Sequence, residues 1–146
     1  MNEQEKDDLF YLCSLIEYIS RVTKNHRGDV VRQIGKKELD KLYHLASVNH
    51  CLSFEQVSDE VIKKCCITEG NYDTVASCQY EVPSYRDIGA NYKRLILSVN
   101  DGDVINILYD VFTSFISDAM SDFNSDFYYQ NDSYMKACYL EGKILK

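Results

Sequence analysis

Arg21 and His26 are the first pair of side chains in this sequence whose types and spacing suit chemistry, with four residues between them. In such a pair the imidazole acts as general base and the guanidinium stabilises charge developing on a phosphate. The spacing is short and unspecific, and the pair falls where the first helix should end. Two solvated side chains are therefore the simpler reading. His44, His50, Cys51 and the adjacent Cys65 and Cys66 come nearest to a metal-ligand set. They lack the C-x-x-C or H-x-x-x-H pairing by which ligands converge on an ion, so no metal and no cofactor is expected. There is no phosphate-cradling glycine loop, no nucleophile elbow and no H-E-x-x-H.

Composition narrows the class further. A chain of 146 residues, 45% of them hydrophobic, is long enough to bury one core without staples. No apolar run reaches membrane-spanning length, and the opening MNEQEKDDLF is acidic where a secretory signal is basic and then apolar. The expectation is a cytoplasmic protein whose six cysteines are reduced and mostly buried. A net charge of −7 argues against a nucleic-acid partner. The charge is uneven: Arg21, Lys24, Arg27, Arg32, Lys36, Lys37 and Lys41 cluster early, whereas eight acids face three lysines after Val99. Solvated faces of ordinary helices account for this better than a basic patch.

Positioning falls to helices. Asp103 to Phe123 carries apolar residues at offsets of three, four and seven, the pattern of one amphipathic helix with a wide buried stripe. Leu9, Leu12, Cys13, Ile16 and Ile19 mark a first, central helix from Glu3 to about Asn25, stopped by Gly28 in a left-handed conformation. A short helix over Asp29–Ile34 follows, then one ending near Asn49, then one opened by Ser53 with Gln56 in a capping box. Ser84 caps the next, which buries Ile88, Tyr92, Leu95, Ile96 and Val99. An aromatic loop around Tyr128 leads to a last helix, Ser133 to Leu145. These elements predict an all-α, single-domain orthogonal helical bundle of six to seven helices. Between Ile67 and Pro83 periodicity stops, and the CQYEV run suits a short extended segment. Long irregular stretches are either functional or connectors pinned to the core, here by Tyr72, Val75 and Tyr80.

Three segments carry a resemblance: Ile16–Cys51, Tyr80–Ile96 and Phe123–Leu145. Together they resemble a family of small bacterial proteins, common in Firmicutes, regarded as the antitoxin part of toxin–antitoxin pairs. That resemblance implies an all-helical protein that binds a cognate toxin, encoded next to it, and does no catalysis. Twelve tyrosines without a tryptophan suit such contacts, and an acidic protein pairs with a basic toxin. The contact surface is expected at Tyr80, Tyr85 and Arg86, with Arg27 and Arg32. The competing class is an enzyme: the Arg21 and His26 spacing resembles that of HEPN ribonucleases, which are all-helical and of similar size. A third class is a homodimer closed by apolar residues between Tyr128 and Tyr139.

Overall fold

The computed structural model describes all 146 residues as eight α-helices with one short 3-10 turn and no strand. The helices are α1 (Glu3–Thr23), α2 (Arg27–His44), α3 (Ala46–Asn49), α4 (Phe54–Cys65), α5 (Tyr85–Val99), α6 (Val104–Thr113), α7 (Ile116–Ser121) and α8 (Asp132–Glu141). No helix is long and apolar enough to cross a membrane. Helix α1 is the axis of this all-α bundle. It packs most extensively against α5 and α2, while α6 lies on α2 and α8 on α5. Leu9, Leu12, Cys13, Leu15, Ile16 and Ile19 are all buried, as a helix flanked on several sides requires, and they belong to one core of 32 apolar residues.

Caps fix where the helices begin. Asn2 and Glu5 form a reciprocal capping box at α1, so the first turn is satisfied from both directions. Ser53 accepts from the Gln56 amide and Ser84 from the Asp87 amide, each satisfying one otherwise orphaned donor. At Ser53 the cap is one-way, without the return bond of a full box.

Several boundaries differ from the sequence reading. The stretch from Asp103 to Phe123 is two helices, because Ser114 is extended (φ −83°, ψ 172°). Its hydroxyl bonds to the Val111 carbonyl and takes the Ile116 amide, offering the backbone a local alternative to continuing the helix. Helix α1 ends on Lys24, which takes the left-handed conformation (φ 56°) that had been expected of Gly28. Gly28 instead lies inside α2. The two helices expected on either side of Gly35 run on as α2 with a kink there (φ 81°). Helix α8 stops at Gly142, not Leu145, and the CQYEV run forms no strand. The cysteines are unpaired, but only Cys13 and Cys138 are buried, whereas Cys51 and Cys66 are exposed.

The α1–α5 contact is the closest in the bundle that can be traced to one residue. A β-carbon on Gly89 would lie 2.2 Å from Ser14 Oγ and 2.8 Å from the Ser14 backbone nitrogen. Gly89→Ala must therefore push the two helices apart, with an expected loss of about 1–3 kcal/mol in denaturant unfolding. Gly102→Ala, at a position with nothing within 4 Å, serves as the neutral control.

Buried phenols give the fold an alkaline limit. Tyr92 is stacked on Phe112 at 4.0 Å, and burial raises its pKa well above 10.0. Burial, with the charges of Glu5 and Asp8, pushes Tyr43 up to about 12. The folded state thus holds these protons more tightly than the unfolded state. Their contribution is complete below pH 10 and is lost as pH climbs through the folded values. Unfolding midpoints should be flat towards pH 10 and fall steeply above it, together with the appearance of phenolate absorbance.

Candidate functional site

Glu17 sits on the buried side of α1, and both of its oxygens are taken by guanidinium groups. Arg27 Nε lies 2.8 Å from Oε1, Arg27 Nη2 2.5 Å and Arg21 Nε 2.7 Å from Oε2. Glu17 and Arg27 are fully buried. Burial opposes the charge on Arg27, but the Glu17 carboxylate outweighs it and raises the pKa. The remaining donors reach outward: Arg27 to Thr74 Oγ1 and the Asn25 carbonyl, Arg21 to the Pro83 carbonyl at 2.7 Å. Arg21 also lies over the Phe123 ring. Arg27 therefore cannot meet a partner, contrary to the sequence reading; it is an internal fastener.

The irregular stretch is fastened to the same place. Gly70 and Tyr72 donate their amides to the carbonyls of Thr23 and Lys24, each at 2.8 Å. A β-carbon on Gly70 would meet Lys24 O at 2.5 Å, so only glycine allows the approach. Asn25 Nδ2 bonds the Thr68 carbonyl at 2.6 Å, and Asn124 ties down Gln79 and Ser77 at the far end. Tyr72 is one of the expected pins, stacked on His26 at 3.8 Å. Val75 and Tyr80 are not. Tyr80 is 68% exposed and lies outside the cleft described below.

His26, expected as the alternative general base, places Nδ1 2.8 Å from Asp118 Oδ1 with Tyr72 on its face. Arg21 Nε and Nη2 and His26 Nδ1 thus help hold α1, the irregular stretch and α7 together, while His26 Nε2 has no protein partner. A wide depression between that stretch and α7 is lined by Asp73, Asp118 and Asp122, each of which has one oxygen engaged, with the Ala76 amide, His26 and the Asn124 amide respectively. Arg32 is exposed and paired with Asp29 at 3.1 Å. Of the apolar residues between Tyr128 and Tyr139 expected to close a dimer, Met135 and Cys138 are in the core, Tyr128, Tyr134 and Tyr139 are half-buried against it, and Tyr129 is exposed.

Tyr85 and Arg86 lie elsewhere, on the wall of a cleft of about 620 Å³ formed by α1, the α3–α4 segment and the start of α5. Tyr11, Tyr18, Phe54 and Tyr85 form a continuous aromatic cluster: Tyr11 stacks on Phe54 at 5.1 Å, and Phe54 and Tyr85 meet edge to face at 5.0 Å. The Arg86 guanidinium lies 5.3 Å from the centroids of both Phe54 and Tyr85. The hydroxyls of Tyr11 and Ser14, both lining the cleft, are buried and make no hydrogen bond with the protein. Burial raises the Tyr11 pKa, so the hydroxyl stays protonated and able to donate. Compared with known protein families, with curated proteins and with solved structures, the chain matches none of them. The cleft is where unspent binding groups gather.

The structure brings Tyr85 and Arg86 to a cleft shared with Tyr11, Ser14 and Phe54, neighbours that sequence reasoning missed. The available signal was weak: polar Ser14 and Glu17 interrupt an otherwise apolar run in α1. Glu17→Ala should cost about 3–5 kcal/mol in denaturant unfolding, because it leaves the Arg27 charge buried without its partner. Arg32→Ala, on the surface, should stay within about 0.5 kcal/mol of wild type.

Proposed function

We propose that this protein is a binding module that neutralises a cognate protein toxin, encoded beside it, by direct contact, and that its docking surface is the rim of the α1/α4/α5 cleft. The observation that carries the reading is Arg86, exposed and lying over the Phe54 ring of α4 and the Tyr85 ring of α5. Arginine and tyrosine in such a setting supply most of the energy of protein interfaces, because they bring large area with little left to freeze. Exposed Leu52, which lines the cleft, and exposed Leu45 and Val48, outside its lining, add to the apolar surface of this protein. Net acidity favours a basic partner and speeds the encounter.

The residues of this surface bind rather than react. Arg21 is held by Glu17 and Pro83, and His26 Nδ1 by Asp118, contacts that favour the binding reading over a ribonuclease that uses this pair. The expected place of action is the cytoplasm, where the six unpaired cysteines stay reduced.

The test is a binding titration against the protein encoded next to this one. Tyr85→Ala with Arg86→Ala should weaken the complex by about a hundredfold or more, two interface anchors at about 1.4 kcal/mol or more each. Circular dichroism and the melting temperature should stay close to wild type, and rescue of growth from the induced toxin should fail. Arg32→Ala should bind normally. Unchanged affinity in the double variant would remove the cleft rim as the docking surface.

A further inference from the structure

We infer that the cleft between α1, α4 and α5 is also a small-molecule site, and that its ligand is an aromatic α-amino acid with a hydrogen-bonding group on the ring, of the tyrosine type. The site does not depend on a protein partner and is tested without one.

Size and shape come first. At about 620 Å³ the cleft falls within the range of small-ligand pockets, about 300–1,000 Å³, and is walled by Phe10, Tyr11, Phe54 and Tyr85. Aromatic faces so arranged favour a planar ring in stacked or edge-on contact. Two of the lining residues, Tyr11 and Ser14, carry buried hydroxyls without partners, the Ser14 hydroxyl beside Gly89 where α1 meets α5. Tyr11 and Ser14 are three residues apart on one helix, hence on one face, and both are more than nine-tenths buried. Burying a hydroxyl unpaired costs about 1–3 kcal/mol, which a polar group on the ligand ring would recover.

Charge completes the specification. Asp7 stands one turn before Tyr11 on the α1 wall, and Arg86 stands on the α5 wall; both line the cleft and neither has an ion-pair partner in the protein. Asp8, also lining it, adds a second carboxylate beside the first. Acidic and basic groups on separate walls fit a zwitterion, with the ammonium at Asp7 and the carboxylate at Arg86.

The experiment is an amide-shift titration of the full chain with four probes: L-tyrosine, L-phenylalanine, tyramine and 3-(4-hydroxyphenyl)propionate. L-Tyrosine should bind about tenfold or more tightly than each of the others, which lack the ring hydroxyl, the carboxylate and the ammonium in turn. Shifts should centre on Tyr11–Ser14 and Tyr85–Arg86. Arg86→Ala should abolish the preference for tyrosine over tyramine, and Asp7→Asn the preference over the propionate; both positions are on the surface. No shift with any probe, equal binding of all four, or shifts centred on the irregular stretch would overturn the inference. Since no toxin is present, failure here leaves the docking reading to its own titration.

Discussion

A carboxylate with no exposure to solvent has to be matched by positive charge, and Glu17 is matched twice over. Removing ions from water costs several kcal/mol each, so the arrangement is tolerable only when the remaining hydrogen-bonding capacity is filled as well. Filling it draws in the rest of the structure. Arg27 starts α2, Arg21 ends α1, Thr74 and Pro83 come from the irregular stretch, and each meets the others through this one acid. Three separate pieces of chain, α1, α2 and the irregular stretch, are located by a constraint that no apolar packing would impose with the same selectivity. The chain leaves α1 through left-handed Lys24, with the Asn25 amide bonded back to the Ser20 carbonyl, and this exit lets Arg27 point back at Glu17.

That fastening divides the surface. On the side of α7 and the irregular stretch, the acids, His26 and both arginines are engaged with one another or with backbone. Around the cleft, by contrast, the buried Tyr11 and Ser14 hydroxyls make no hydrogen bond, and Arg86 and Asp7 have no ion-pair partner in the protein. Proteins rarely leave buried polar atoms unmatched, and when they do the reason is commonly something that binds. Electrostatics points the same way: an acidic chain that exposes an arginine on an aromatic bed has set one positive anchor in a negative field.

How far the sequence shows this depends on which force acts. Helical periodicity is local, so the buried faces of α1, α4 and α5 and the Ser53 and Ser84 caps can be read from spacing alone. The break at Ser114 is hidden because the apolar stripe continues across it: Phe115 and Ile116 keep the period while the backbone does not. Gly28 reads as a stop, yet it sits inside α2 where a β-carbon would press on the Phe112 carbonyl at 3.0 Å, a requirement set by a helix far along the chain. Arg27 reads as a surface cation because arginines usually are; its burial depends on Glu17, ten positions away and without a motif to link them. Tyr85 and Arg86 are legible as residue types common in interfaces, whereas the cleft they border needs α1 and the α3–α4 segment packed beside α5 and is visible only then.

The central claim is that the stretch from Ile67 to Pro83 is a fixed part of the frame, held by the Glu17 cluster, and not a mobile binding loop. Native-state hydrogen exchange of the free protein tests it most directly. The amides of Gly70 and Tyr72, bonded to the end of α1, should exchange as slowly as neighbouring core amides of α1 and should lose that protection together. Exchange of both at the rate of an unstructured chain, while α1 stays protected, would contradict it.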